Sequence, residues 1–318
     1  QESEATAIFV EDTIRLGQLS IVPGLRFEHI DYNYITYESN GGNIPSDSAS
    51  RGIDVFAPGI GVNYQSNENT SFFAGAYRGF SVPGPRSAAR PGRELDEETS
   101  LSIESGVRYD NRKGVFAEFI VFNTDFDDLI TIDNIATGSS NPQNIGKARS
   151  RGIEMILGWD PTANANANFK APISFSATYT DAEFKTNSTD SNAESIFSGA
   201  VIGNAFPYIP EFQYNLAGDL EFEAFRLSAN LNYTDSVYSS GSNTELEENP
   251  AGIPDARFGL IDSLFIVDLS ATLYINEQAE AFINVTNVFD EQKLVGRLTD
   301  GPRPNAPRQA SVGMAFRF

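Results

Sequence analysis

Apolar and polar residues alternate along most of this chain, in blocks of about ten, the period-two signature of a strand with one face buried. In the last block Val312, Met314, Phe316 and Phe318 share one parity, while Gln309, Ser311, Gly313 and Arg317 take the other. Successive side chains of a strand point to opposite faces, so such a block is apolar on one side and polar on the other. The pattern repeats upstream at Ile8 to Leu16, Leu19 to Phe27, Phe56 to Tyr64, Leu101 to Tyr109, Ile173 to Tyr179, Phe225 to Tyr233 and Val267 to Leu273. The connections alternate too. Gly17-Gln18, Ser66 to Asn69, Asn111 to Gly114, Glu221 to Glu223 and Asn276 to Gln278 are tight, whereas about 33–51, 82–97, 125–147, 184–208, 235–262 and 291–306 are long.

About thirteen strands result, each close to the length that crosses a bilayer at a tilt. Short turns at one end and long loops at the other are the arrangement of an all-β transmembrane antiparallel barrel. A soluble sandwich also alternates, but nothing requires it to gather its long connections at one end. Tyr64, Tyr109, Trp159, Phe222, Phe225, Tyr274 and Phe318 fall near the short-turn ends. Amphipathic rings prefer headgroup depth, so these residues are expected to form the inner aromatic girdle. Aromatic plugs at the ends of a sandwich are the alternative. An odd strand count is unusual for a bacterial barrel, so upstream strands are expected.

Composition narrows the functions. A net charge of −21 over 318 residues disfavours a nucleic-acid partner. The absence of cysteine excludes disulfides, thiolate metal sites and thiol nucleophiles. His29 is the single histidine and no Gly-x-Ser-x-Gly elbow accompanies it, so a serine triad has no support. His29 is read as a wall residue, and no cofactor or enzymatic activity is expected. The chain opens at Gln1 without an initiator Met or a leader, and is read as a mature or truncated product.

Four segments carry a resemblance. Ala306-Pro307-Arg308 precedes an alternating strand that ends on Phe318, and Ala281 to Val285 runs into Asn287-Val288-Phe289-Asp290. Ala148 to Glu154 has an Arg-x-x-Gly-hydrophobic-Glu pattern, and Pro207-Tyr208-Ile209-Pro210 enters a later strand. In this order the chain resembles the C-terminal part of the TonB-dependent outer-membrane receptors. Within that family, Val22 to Ile30 and Glu98 to Tyr109 are similar to the ferric citrate receptors. The resemblance implies a barrel of about 22 strands with a plugged lumen, of which residues 1–318 form the C-terminal portion. It also implies a ferric chelate as substrate, citrate or a similar siderophore, and transport driven by TonB and the proton gradient. TonB would act through an N-terminal part that this chain lacks. Further implied partners are the barrel-assembly machinery at Phe318, outer-membrane lipid and lipopolysaccharide.

An anionic chelate calls for cationic hydrogen-bond donors at the mouth, and Arg matches carboxylates through its planar fork. Arg86, Arg90 and Arg93 cluster in a loop broken by Pro83, Pro85 and Pro91, with Arg78 just before it. Arg26 shares parity with Ser20 and Glu28 and is expected to face the lumen. Gln143 and Thr299 lie near positions where the family places polar ligand contacts. For the arginines the alternative is pairing with lumenal Glu, and for Gln143 and Thr299 it is plain loop solvation. Asp125-Phe126-Asp127-Asp128 and Glu245-Leu246-Glu247-Glu248 lack calcium-loop spacing and read as solvated charge. Receptors of the same family for cobalamin or an oligosaccharide, and outside the family an adhesin or an outer-membrane enzyme, are the competing functions.

Overall fold

The computed structural model describes residues 1–37, 45–89, 95–130, 144–188, 195–298 and 301–317. Thirteen long strands lie side by side in sequence order, every neighbour antiparallel. They are β1 (Glu2–Glu11, resumed at Ile14–Leu16), β2 (Leu19–Tyr37), β3 (Pro45–Asn67), β4 (Thr70–Ser81) and β5 (Glu98–Asp110). Then come β6 (Val115–Asp127), β7 (Ala148–Trp159), β8 (Ile173–Phe184), β9 (Phe212–Phe222) and β10 (Phe225–Thr234). The sheet finishes with β11 (Leu264–Asn276), β12 (Ala279–Thr286) and β13 (Gln309–Phe316). Among the described residues it does not close on itself. β1 and β13 are its edges, and the architecture is a wall of a barrel.

Because pairing conserves parity across an antiparallel ladder, one register assigns every strand's faces. The row Val312–Ile283–Ala271–Leu227–Leu220 is apolar throughout, as is Ile173–Trp159–Val115. This is the outward face. Val312 is 78% exposed and Trp159 54%, a degree of apolar exposure that water would punish by aggregation and that hydrocarbon accommodates. The opposite parity carries Asn215, Asn230 and Asn232, whose amides hydrogen-bond across strands at 2.6 and 2.7 Å. Arg226 donates to Asp219 there at 2.9 Å. This polar face is the lumenal one.

Two aromatic belts bound the apolar band. At the short-turn end Phe169, Phe222 and Phe225 stack at centroid separations of 5.3 and 4.6 Å. At the other end of the same strands Phe212, Tyr214 and Tyr233 cluster, with Tyr214 and Tyr233 5.3 Å apart. Phe212 and Phe222 close the two ends of β9. At ~3.4 Å per residue and a tilt of ~40°, its length spans about 25 Å of height, the thickness of an outer-membrane apolar band. The sequence reading located the inner belt and missed the outer one. It also misplaced Tyr274, which pairs with Glu280 on the lumenal parity while neighbouring Leu273 faces out. A register irregularity between Tyr274 and Asn276 lies at this turn, where parity read from spacing alone is least secure. Phe318 lies outside the described residues.

The largest departure from expectation concerns 33–51, read as a loop. β2 and β3 instead pair without a break from Leu19↔Tyr64 to Thr36↔Asp47, carrying a blade well past the membrane, with β1 alongside as far as Glu2↔Asn33. Its lumenal side buries Ile30, Tyr32, Tyr34, Ile53 and Val55. Burial of these side chains, rather than the bilayer, is what extends the pairing.

Three phenylalanines lie flat across the strand opposite, each facing a glycine at its paired position: Phe73↔Gly106, Phe122↔Gly152 and Phe282↔Gly313. A Cβ on Gly106 would sit 2.6 Å from Phe73 Cζ, and one on Gly152 2.8 Å from Phe122 Cζ. The glycines thus provide floor space for rings that line the lumen. Gly152→Val is expected to destabilise the wall by about 1–3 kcal/mol through overpacking. The effect should appear as a lower temperature for loss of the folded band in heat-modifiability gels of the full-length protein, with Gly158→Ala, whose Cβ meets only Phe116 Cβ at 3.6 Å, nearly neutral.

Candidate lumenal mouth

The lumenal face at the long-loop end is where chemistry can gather, since loops from several hairpins meet there. Arg26 lies on this face, between Phe9 and Ala57 in the ladder. Its Nε and Nη2 donate to Glu28 Oε2 at 2.9 and 2.7 Å. Consecutive lumenal positions of one strand, i and i+2, hold the pair, so Arg26 presents a neutralised fork. Arg108 is likewise held by Glu118 across β5 and β6 and sits 5.5 Å over the Phe73 ring. Lower down, Gly24, Gly59, Gly61 and Gly75 floor a trough of about 420 Å³ rimmed by Glu11 and Glu104. The wall is therefore smooth and acidic at this level.

Above Arg26 the loop after β4 turns inward. A short helix, α1 (Pro85–Ala89), places Ala88 and Ala89 against Tyr32, Tyr34, Ile53 and Val55. Arg51 pins it. Nη1 donates to the carbonyls of Ala88 (3.1 Å) and Leu95 (2.7 Å), and Nη2 to Asp96 Oδ1 at 2.6 Å. The Pro/Arg loop thus covers the lumenal side of the mouth, and Arg86 belongs to α1. Arg90 and Arg93 lie outside the described residues. Arg78 does not join them. It pairs with Leu101, which pairs with Asp125, on the outward parity, so the ladder turns it away from the lumen. Its proximity to the loop in sequence points to the mouth, but its parity with Phe72 and Ala76 sets it on the outward side.

A second cluster closes the mouth over β6–β8. Phe184, Phe197 and Phe206 pack within 6.0 Å of one another, joined by Leu129, Ile145, Ala148 and Ala200. Beside them lies a cavity of about 350 Å³ walled by Phe126, Phe197, Phe206 and Leu129 and edged by Glu98. The Glu98 carboxylate accepts the Ile130 amide at 3.1 Å. Gln143 lies outside the described residues, but adjacent Asn144 ties two loops, donating to Asp128 O (2.7 Å) and Asp96 O (3.2 Å).

The third cluster centres on Arg297, 5% exposed. Nε donates to Leu260 O at 2.9 Å, and Nη1 to Glu247 Oε1 (2.9 Å) and Ala256 O (3.0 Å). Thr299 lies outside the described residues. Its near neighbour Leu298 donates its amide to Tyr208 Oη at 3.2 Å, which gives the Pro-x-x-Pro stretch a loop-binding role. Burial pushes the Tyr208 phenol up from its ordinary value. The Asn287–Asp290 motif works as a latch. Asn287 and Asp290 adopt positive φ, which Asn and Asp tolerate. Asn287 then bonds Glu291 O and Ala306 O at 2.9 and 3.0 Å, and the Asp290 carboxylate accepts the Arg308 amide at 2.8 Å.

The acidic runs are in part paired rather than merely solvated. Asp127 takes Lys147 at 2.7 Å and Glu247 takes Arg297. His29 stands on the outward wall, Nδ1 2.6 Å from Asp54 Oδ1 and Nε2 3.4 Å from Asp31 Oδ2. The cationic anchors Arg51 and Arg297 escaped the sequence reading, because nothing local distinguishes a buried loop anchor from a solvated Arg.

The model for TonB dependent receptor-like β-barrels matches residues 1–288, and the chain belongs to that family of outer-membrane proteins. It is similar to the metal-pseudopaline receptor CntO of Pseudomonas aeruginosa, 24% identical over 329 aligned residues that cover 100% of this chain and 41% of that protein. An uncharacterized TonB-dependent receptor of Haemophilus influenzae is 27% identical over 69% of this chain and 59% of its own. Among solved structures, the ferric citrate transporter FecA superposes with a TM-score of 0.76 at 20% identity, covering 98% of this chain and 44% of that one. The siderophore receptor PiuA of Acinetobacter baumannii does so with a TM-score of 0.76 at 17% identity, covering 99% and 43%. The chain thus spans less than half the length of CntO and of these two structures. These relatives are named as receptors and transporters, and none of them as an enzyme.

Two outcomes follow for the loops. Arg51→Ala leaves the Ala88 and Leu95 carbonyls without their donor, which should loosen the 84–97 segment by about 1–3 kcal/mol. Trypsin is expected to cut there at least several-fold faster in the full-length protein, with the wall intact by heat-modifiability. Hydrogen bonding from Arg257 holds the Asp255 carboxyl below the usual carboxylate range. A depressed folded pKa contributes stability above the unfolded value and loses it as pH falls through the folded one. Hydrogen exchange in 247–258, corrected for intrinsic rate, should therefore accelerate only below the ordinary carboxylate range, and Asp255→Asn should show the faster exchange at neutral pH.

Proposed function

We propose that the whole protein is an energised outer-membrane receptor that captures a metal chelate at the extracellular mouth and releases it through the lumen. The observation that carries this reading is the inward folding of the loops: α1 and the Phe184–Phe197–Phe206 cluster both stand on the lumenal parity. Loops of an adhesin have no need to fold over a lumen. The named cargo of CntO, a metal–pseudopaline complex, supports a chelate. The acid-rimmed glycine trough supports a lumen filled by a separate plug, on which TonB would act. Recognition by the barrel-assembly machinery rests on the family resemblance of the alternating segment that follows Ala306-Pro307-Arg308.

Ferric citrate is the finer reading, supported by the Val22–Ile30 and Glu98–Tyr109 stretches. It needs cationic groups for a polyanionic complex. Arg26 offers a fork already engaged by Glu28, which leaves Arg86, Arg90 and Arg93 to supply the charge. A hydroxamate or catecholate siderophore, cobalamin or an oligosaccharide are the alternatives, and the aromatic-walled cavity beside Phe126 suits a chelate with an apolar part. Equilibrium binding to the full-length receptor decides. Ferric citrate is expected to bind at micromolar concentration, with Arg86→Ala/Arg90→Ala/Arg93→Ala weakening it by about tenfold or more and Arg26→Ala by less. Binding of another chelate while ferric citrate fails would reject the citrate reading and keep the receptor; no binding of any chelate would reject both.

A further inference from the structure

The connections at the short-turn end are not all alike. Two residues join β1 to β2, β3 to β4, β9 to β10 and β11 to β12, whereas residues 160–172 join β7 to β8. Hairpins seldom need connections longer than about five residues, and this one is held in place. The Asp160 carboxylate accepts the Thr162 amide at 2.9 Å and the Thr162 hydroxyl at 2.6 Å. The Ala171 amide donates back to Thr162 Oγ1 at 3.3 Å, and Phe169 and Lys170 pair with Phe222 and Glu221. On its other side the connection nests on the β5–β6 turn. The Asp160 amide donates to Gly114 O at 2.7 Å, and Asn164 Nδ2 donates to Lys113 O. A Cβ on Gly114 would lie 2.6 Å from both Ala163 Cβ and Asp160 O. The two turns therefore meet as closely as a glycine permits, and together form one ledge from β5 to β9.

The chemistry of the ledge differs from that of the other turns. Arg112 and Lys113 stand exposed at its tip, and among the described residues neither has an ion-pair partner. Lys170 adds a third cation, 3.4 Å from Glu221. The two-residue turns carry Glu68, Glu223 and Glu277, or no charge at Gly17-Gln18. Beside the cations Ala163 to Asn168 alternates Ala with Asn, and Asn164, Asn166 and Asn168 are all exposed. Asn164 is committed to Lys113 O, which leaves the amides of Asn166 and Asn168 to face the solvent, each with two donors and an acceptor. Short turns face the periplasm, so the ledge lies on the opposite side of the membrane from the cargo mouth. We propose that it binds peptidoglycan, the periplasmic polymer whose sugars carry acetamido and hydroxyl groups and whose peptide stems carry free carboxylates. Cations at the tip match the stem carboxylates. They alone would suit any polyanion; the row of amides beside them selects one that presents acetamido groups and hydroxyls at the same place.

The test sediments the full-length receptor, in neutral detergent, with purified peptidoglycan sacculi and with sacculi whose carboxylates have been amidated. The receptor should sediment with the first and bind the second several-fold less. Arg112→Gln/Lys113→Gln keeps the backbone contacts of the turn and should lower the bound fraction about tenfold. Asn166→Ala/Asn168→Ala should lower it several-fold, and Glu277→Gln should leave it unchanged, all with wild-type heat-modifiability. Equal binding to both kinds of sacculi would overturn the proposal, as would full binding by either double variant or no sedimentation of the wild type. Retention by phosphatidylglycerol vesicles without retention by sacculi would overturn it in favour of inner-leaflet lipid.

Discussion

Every backbone N–H and C=O at membrane depth must find a partner within the protein, because hydrocarbon offers none. The antiparallel ladder satisfies that demand on both sides of β2 to β12 and on the inner side of the edge strands β1 and β13, and almost everything else follows from it. Once neighbouring strands are locked in register, a single parity choice sorts each side chain to lipid or lumen. A slip of one residue in any pair would invert a whole strand. The apolar rows facing out and the amide ladder of Asn215, Asn230 and Asn232 facing in are two readings of the same register.

Beyond the bilayer the demand relaxes, and a different economy takes over. The β2–β3 blade continues because Tyr32, Tyr34, Ile53 and Val55 are covered by α1, not because lipid surrounds it. Loops that would otherwise be free are tied by single side chains with several donors. Arg51, Asn144, Asn243 and Arg297 each reach carbonyl oxygens on another segment. These ties decide how open the mouth is and which groups line it, so binding there is coupled to loop order rather than to the wall.

Charge follows the same division. Lumenal cations at membrane depth are matched, Arg26 by Glu28, Arg108 by Glu118 and Arg226 by Asp219. Their pairing conserves a neutral wall and leaves Glu11 and Glu104 as the acidic rim of the glycine trough. On the outward parity of β7 and β8 the same matching recurs across strands, Arg149 with Glu183 and Arg151 with Asp181. An arginine's role in this fold is set by its parity and its height, and only secondarily by the sequence around it.

Period-two alternation was enough to find the strands, the short-turn end, the inner aromatic belt and the lumenal parity of Arg26, because all of these are local consequences of a pleated backbone. The four motifs carried the family for a similar reason, each being a turn or latch with fixed backbone chemistry, as the positive φ of Asn287 and Asp290 illustrates. What the chain could not disclose alone were long-range pairings. The continuation of β2 into β3, the lumenal side taken by Tyr274, the outward side taken by Arg78 and the anchoring by Arg51 and Arg297 all depend on which strand or loop lies opposite. That neighbour is chosen by the assembled ladder and by packing between segments dozens of residues apart, and no local window of sequence contains it.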